Sequence, residues 1–558
     1  LERRLARRQD RTGEMSPAMH NVNNNQPVTV RNRRAVARRF LTVFALLLAS
    51  AAGAGGAAVT RVSLLGDQPD VLFLQCDVAW SNSWKSPADE IGNWDAAWVF
   101  AKYRLPGRDW QALRFQKDGH SGPDNCAIEA PADGAGVFIR RMNEGWGPAS
   151  FPGVKLRIRL PEKEWSAPGK IEWRVLAIEM VYIPAGPFAL GSGGTEDSAC
   201  FSYPERETPF RVKSEAAIPL GAEAGSLRAP GVAGDAGSAI PASWPKGVAA
   251  FYCMKYELSQ GQYADFLSML TQPQAKARFP DRNGKNRHAL EAADTRYFCA
   301  APDRACNFLS WQDGAACADW SGLRPMTELE FEKACRGTEP AAPGEYAWGN
   351  GLLSPRPYKL AGSGNASTGA AAAPPEEFPD GLANLLDDVG GLEEPPAPAP
   401  LPVRKTLPPE TLTAFPLTGN ALCAATRGTI DGPLPGGIFR SGRASLLRDQ
   451  LGCSYYGLMA MSGNLWEPCV TLATRVGLTF TGSHGDGTLS AAGQATNPDW
   501  PGYDPTCQEI NGAEGSGLRG GSWQTPPERL RISDRQAVGQ PAVERLADAG
   551  WRGVRSAP

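Results

Sequence analysis

The stretch NFLSWQDGAACADWSGLRPMTELEFEKACRG (307–337) decides the fold. Ser310 with Asp313, and Thr327 with Glu330, each pair a hydroxyl with an acid three residues on, the pattern that caps a helix N-terminus. Behind Ser310, Ala316, Cys317 and Trp320 recur at helical spacing; behind Thr327, Phe331, Ala334 and Cys335 do the same. Gly337 supplies a stop for the second helix. Cys317 and Cys335 therefore fall on core faces, where a thiol behaves as a small hydrophobe. Glu328 and Glu330 suit the positive end of a helix dipole, so Glu-Leu-Glu-Phe-Glu (328–332) reads as a helix start and not as a catalytic cluster.

Working outward, Ser259 with Gln262 forms another capping box, followed by Tyr263, Phe266, Leu267 and Leu270 on one face. Residues 60–175 read differently. Val154, Leu156, Ile158 and Leu160 alternate with Lys155, Arg157 and Arg159. Leu72, Leu74, Cys76, Val78 and Trp80 share one face, and Ala97, Val99, Ala101 and Tyr103 another. This period of two, broken by turn-rich segments such as SNSWKSPADEIGN (81–93) and KDGHSGPDN (117–125), predicts a small antiparallel β-sandwich. Its Trp80, Trp84, Trp94 and Trp98 are read as core, with a sugar-binding surface as the alternative. Two stretches interrupt the rest of the chain: 193–246 is rich in Gly, Ala and Ser, and 338–415 contains AAAAPPEEFPDG and EEPPAPAPLP, which cannot bury much surface.

At 558 residues the chain can bury more than one core. Residues 1–57 form an upstream segment and signal peptide. Arg31, Arg33, Arg34, Arg38 and Arg39 precede the short apolar run Phe40 to Ala49, and small residues follow. That run is too short for a membrane span of ordinary length. Export is expected, to the periplasm, the cell surface or the medium; cleavage and an uncleaved anchor both stay open, and the expected start is Met15 or Met19. Ten Arg against three acidic residues give residues 1–57 a charge of +7, so a whole-chain charge of −2 leaves −9 for the remainder. Such an acidic protein has no general attraction to nucleic acid or to anionic membrane. The four His are too scattered for a His-rich metal centre, and no CxxC occurs among the twelve Cys. Disulfides are permitted in an exported chain, and Cys299 with Cys306 is a candidate local pair.

The order of segments resembles the formylglycine-generating enzyme (sulfatase-modifying factor) family, whose fold is shared with C-type lectins. The resemblance rests on MVYIPAGPFALGS (180–192), YCMKYELSQGQYADFL (252–267), the 307–337 stretch, AWGN (347–350), YGLMAMSGNLWE (456–467), LRGGSW (518–523) and GWRGVR (550–555). It covers residues 176–556 and implies an α+β fold: a formylglycine-generating-enzyme-like domain with insertions at 193–246 and 338–415, preceded by the β-sandwich at 60–175.

In the oxidising members, two cysteines after the GGS motif bind copper, to which soft thiolates are suited. Alignment on GGSW puts Thr525 and Leu530 at those positions, and neither supplies a thiolate. The resemblance thus implies a divergent member lacking the cysteine pair, and copper is not expected. The helical, histidine-bearing domain of the carbon–sulfur-bond-forming branch has no counterpart in the β-rich N-terminal part. A formylglycine-generating or siderophore-maturation-type oxidoreductase with a different site stays open as the alternative.

The resemblance also implies calcium, held by the loop from Ala460 to Glu467. Glu467 matches a carboxylate ligand, and Gly463 and Leu465 match carbonyl ligands, while Ala460 stands where the family has Asn. Asn420 and Asp431 resemble a further calcium site. In the cleft that holds a substrate peptide in the family, the matching positions are Trp466, Arg519, Ser522, Gln524, Thr525, Arg531, Asp534 and Arg535. Trp523, Trp551 and Arg552 are read as structural, with Arg552 expected to pair with a buried carboxylate. The preferred reading is an exported protein that recognises a peptide or glycan.

Overall fold

The computed structural model describes residues 56–66, 71–160, 171–193, 199–204, 208–231, 237–354, 357–358, 419–435 and 448–558. The leader expected at residues 1–57, except Gly56 and Ala57, and most of the stretch expected as an insertion at 338–415 lie outside them.

Three helices begin where their capping boxes place them: Gln260–Ser268 after Ser259, Trp311–Ser321 after Ser310, and Glu328–Arg336 after Thr327. In each, the cap oxygen accepts from the third residue's N–H and that residue's side chain returns to the cap N–H. Trp311–Ser321 ends on Gly322 in the left-handed region, and Glu328–Arg336 ends on Gly337. Gly314, inside the first of these two, is a packing requirement: a Cβ there would stand 1.9 Å from the Trp551 ring. Cys317 and Cys335 are buried.

Two β layers carry the rest. A four-stranded antiparallel sheet runs in the order Ala58–Leu65, Leu72–Lys85, Gly145–Arg159, Arg114–Phe115. An eight-stranded sheet runs Arg324–Pro325, Gly553–Ser556, Phe251–Met254, Glu172–Ile183, Asp95–Arg104, Val137–Arg141, Cys126–Glu129, with Gln111–Ala112 joined to Asp95–Arg104. Side chains from the two sheets meet in one core: Leu72, Leu74, Cys76 and Val78 from one, Ala97, Val99 and Ala101 from the other, then Val154, Leu156 and Ile158.

The larger sheet is continuous through position 175, because Glu172–Ile183 pairs with Asp95–Arg104 on one side and with Phe251–Met254 on the other. Asp95–Arg104 is buried on both faces except at its last residue. Ala97 and Val99 face the inter-sheet core, while Trp98 and Phe100 face the main core with Trp311, Trp320 and Trp551. Polar pins reinforce the join. Trp98 Nε1 donates to Ser321 O at 2.8 Å, and Lys102 Nζ to Trp320 O at 2.6 Å. Lys255 Nζ reaches both Asp95 and Glu179 at 2.9 Å. Burial works against that ammonium, but the two carboxylates outweigh it and hold it above the ordinary lysine range.

Trp80, Trp84 and Trp98 are buried, and Trp94 is half-buried with Tyr182 stacked on one face at 4.1 Å and the Arg140 guanidinium over the ring at 4.4 Å. Within 193–246, Phe201, Phe210, Val212, Leu227 and Trp244 enter the main core. All twelve cysteines are free thiols, so the local pair expected of Cys299 and Cys306 is not formed. Cys306 is sealed in the core, whereas Cys299 is half-buried beside Gln260, with its Sγ 3.4 Å from Oε1.

Among the described residues no helix is long and apolar enough to cross a membrane.

Candidate functional site

The short strand Ser516–Arg519 pairs with Glu467–Val470, setting Arg519 opposite Glu467. Past it the chain turns through Gly520 and Gly521, both at positive φ, into Ser522 and Trp523, then a 3-10 turn at Pro527–Leu530. Thr525 is tied into this turn. Its Oγ1 accepts from Ser522 N–H at 2.8 Å and donates to Ser522 O at 3.0 Å, and its carbonyl accepts from Ala424 N–H at 2.9 Å. Leu530 is fully buried in an apolar cluster with Tyr346, Trp348, Ala421 and Cys423. The two positions aligned with the family's cysteines are thus a hydroxyl closing a turn and a sealed aliphatic side chain. Cys423, invisible to the sequence argument because it lies outside every motif, is a single buried thiol in the same cluster.

The cleft candidates separate by burial. Gln524 is exposed, and Thr525 and Arg531 are partly exposed. Arg519 and Arg535 are not at the surface: each is 1% exposed and committed to buried carboxylates. Arg519 reaches Glu328 at 3.2 Å and Glu332 at 2.8 Å, and Arg535 reaches Glu328 at 2.8 Å. Glu332 also pairs with Arg336, which in turn holds Glu345. Burial alone would raise the Glu328 carboxyl, but Arg535 and Arg519 outweigh it and hold it below the usual carboxylate range. Glu330 takes both Nη atoms of Arg324, at 2.9 and 2.7 Å. The 328–332 acids therefore knit helix to strand and loop.

Ser522 is buried and donates to Asp548 at 2.7 Å, and Trp466 packs in the main core. Asp534 is 2% exposed beside Arg529, its carboxyl pushed by burial up to about 6. Sequence reasoning missed Arg427, whose partly exposed guanidinium lies 5.4 Å from the centre of the Trp523 ring. Its loop is brought here by Asn464 N–H, which donates to Leu422 O at 2.9 Å, and by Ala424; no local pattern announces that contact.

Whether the 460–467 loop can hold a cation depends on its oxygen donors. Glu467 is 1% exposed; its Oε1 accepts from Arg552 Nε at 2.7 Å, while its buried Oε2 has no hydrogen-bond partner among the described residues. Burial pushes this carboxyl up, against the pull of Arg552. An oxygen left over in the interior is the donor a hard cation would need, and Glu467 Oε2 with the carbonyls of Gly463 and Leu465 fits calcium chemistry. The second set does not fit. Asn420 spends its amide inside the protein, accepting from Tyr358 Oη at 2.8 Å and donating to Gln450 O at 2.7 Å. Asp431 stands at the surface beside Asn286 and Arg427 and, among the described residues, shares no hydrogen-bond partner with Asn420. Among the described residues, no three His, Cys, Asp or Glu side chains converge as a metal cluster.

A capped-helix pair, a sheet that takes in the C-terminal strand and a GGS turn over a buried Arg–Glu network define an α+β scaffold. The chain belongs to the formylglycine-generating-enzyme family: residues 173–557 match the sulfatase-modifying factor enzyme 1-like domain. Among solved structures it is similar to Treponema denticola variable protein 1, at 13% identity, covering 68% of this chain and 96% of that one with a TM-score of 0.28. No curated protein matches the chain.

Proposed function

We propose that this is an exported recognition protein that uses a formylglycine-generating-enzyme scaffold to bind a peptide or glycan. On this reading the copper- and cysteine-dependent oxidation is not its reaction. The observation that carries the reading is the state of Thr525 and Leu530, one closing a turn and the other sealed among apolar side chains. A hydroxyl and an isobutyl group cannot replace a thiolate pair, and the single thiol of Cys423 does not restore one.

Gln524, Thr525 and Arg531, with the Arg427 guanidinium beside them, supply amide, hydroxyl and cationic groups of the kind that bind sugars or peptide carboxylates. The two β layers of residues 58–183 serve as a sandwich module rigidly fused to this domain. Calcium, where bound, is held by Gly463, Leu465 and Glu467 and stiffens the loop beneath the cleft. The acidic remainder gives neither nucleic acid nor, after signal cleavage, membrane a reason to associate.

The test presents the mature protein to peptide and glycan arrays, then repeats the positive hits with Arg427→Ala and Arg531→Ala. Saturable binding lost in either variant is the expected result. Stoichiometric copper uptake with oxygen consumption on a thiol peptide would overturn the reading in favour of an oxidoreductase with a different site.

A further inference from the structure

The segment TGSHGDGT (481–488) lies between the motifs at 456–467 and 518–523 and carries one of the chain's four His. It lies close against the end of Trp311–Ser321. Gly485 N–H donates to Leu323 O at 2.8 Å, and a Cβ on Gly485 would stand 2.3 Å from Asp319 Cα. This seat brings half-buried His484 to the C-terminal strand, where Ser556 N–H donates to its Nε2 at 3.0 Å. Gly553–Ser556 pairs with Phe251–Met254 along one edge, but on the other Arg324–Pro325 reaches only Gly553 and Val554. The imidazole takes up an N–H beyond the reach of that short strand.

A ring nitrogen that accepts a hydrogen bond carries no proton, so the hydrogen of the neutral ring sits on Nδ1 and Nε2 is its basic site. A proton taken up at Nε2 displaces the Ser556 N–H. The surroundings give an imidazolium no partner. The C-terminal strand contributes Arg555, already bonded to Asp133, and Arg324–Pro325 contributes Arg324, already bonded to Glu330. On the other side of the segment, Asp319 accepts from the N–H groups of Asp486 and Thr496, while Lys102 and Arg114 donate to the carbonyls of Gly487 and Asp486. Asp499 accepts from Thr481 and Ser483. Among the described residues, no carboxylate bonds to the His484 ring. Burial and the two guanidiniums hold the imidazole well below the ordinary histidine range. We propose that His484 is an acid-sensitive latch on the C-terminal strand: neutral, it holds the Ser556 N–H, and protonated, it lets the end of the strand go.

Released, the ring titrates near its ordinary value of about 6.5; held, it stays neutral far below that. The released form alone binds the proton in the window beneath about pH 6.5, so its population rises about tenfold per pH unit there. The arginines keep their charge throughout. Lys102, which burial lowers to about 7, is already a cation in that window. Asp319, which burial raises to about 7, works in the opposite sense, but it grips the segment and not the strand.

Hydrogen exchange of the full chain between pH 7 and 5, resolved to single amides and corrected for the intrinsic rate at each pH, tests the latch. Opening at Ser556 should rise about tenfold per pH unit below about 6.5. Val554, paired with Cys253 and Arg324, should not follow. His484→Gln keeps an acceptor that gains no proton and should leave opening at Ser556 flat. A rise that Val554 shares equally is release of the whole strand and overturns the latch, as does a pH dependence at Ser556 that survives in the variant. The comparison of Ser556 with Val554 is made in the wild type, so it holds even where the variant misfolds.

Discussion

Arg552 donates through Nε to Oε1 of Glu467 at 2.7 Å, with neither side chain open to solvent. The same guanidinium donates to the carbonyls of Met254 and Met459, both at 2.7 Å. One side chain just ahead of the C-terminal strand Gly553–Ser556 thus fastens the end of the strand Phe251–Met254 and the 460–467 loop together. The same principle recurs at Arg519 and Arg535, where Glu328 is the shared partner. These pairs cost desolvation, but breaking one costs more, because it strands a charge in the interior.

Arg552→Met is expected to lower unfolding stability by about 3–5 kcal/mol, the range for a buried pair with one partner removed. Guanidinium denaturation measures it. The double variant Arg552→Met/Glu467→Gln should recover part of the loss, since no uncompensated charge remains; a double variant as unstable as the sum of the singles would contradict the pairing.

His288 is 1% exposed, with Nδ1 bonded to Asn307 Oδ1 at 2.9 Å, and burial pushes its imidazole down to about 4. Between pH 4 and about 6.5 the unfolded chain binds the proton and the folded one does not, so stability rises with pH across that window. His288→Gln should flatten this rise by up to about 3 kcal/mol, read from denaturation curves at pH 4.5 and 7.

Under native conditions Cys507 is the exposed thiol, Cys200 and Cys299 are half-buried, and the other nine are buried. A maleimide should label Cys507 first, Cys200 and Cys299 slowly, and all twelve only after unfolding. Peptide mapping without reductant should find Cys299 and Cys306 as separate thiols.

Ala460 sits at φ 59, a conformation that Asn adopts more readily than Ala. Ala460→Asn adds the side-chain oxygen that the loop lacks while relieving that backbone cost. Calorimetric titration should show calcium binding tightened by about tenfold, and a chelator should lower the melting temperature of the wild type. No calcium uptake by either protein would remove the cation from this loop.

The helix starts, the stop at Gly337 and the apolar faces of Cys317 and Cys335 were legible in the chain itself, because a cap and a hydrophobic stripe depend on residues three or four apart. The alternating strands of the N-terminal part were legible for the same reason. The order of motifs carried the family. Cleft membership was only partly legible: Gln524, Thr525 and Arg531 read as the better surface positions, while Arg519, five residues before Gln524, still counted among the cleft candidates. Only the tertiary structure turned Arg519 inward, onto acids 187 and 191 positions away. It likewise laid one strand, Asp95–Arg104, between two cores and set Arg427 over Trp523. Local chemistry fixes where an element begins and which face is apolar; which charge finds which partner depends on burial and distance, and those exist only once the chain has closed on itself.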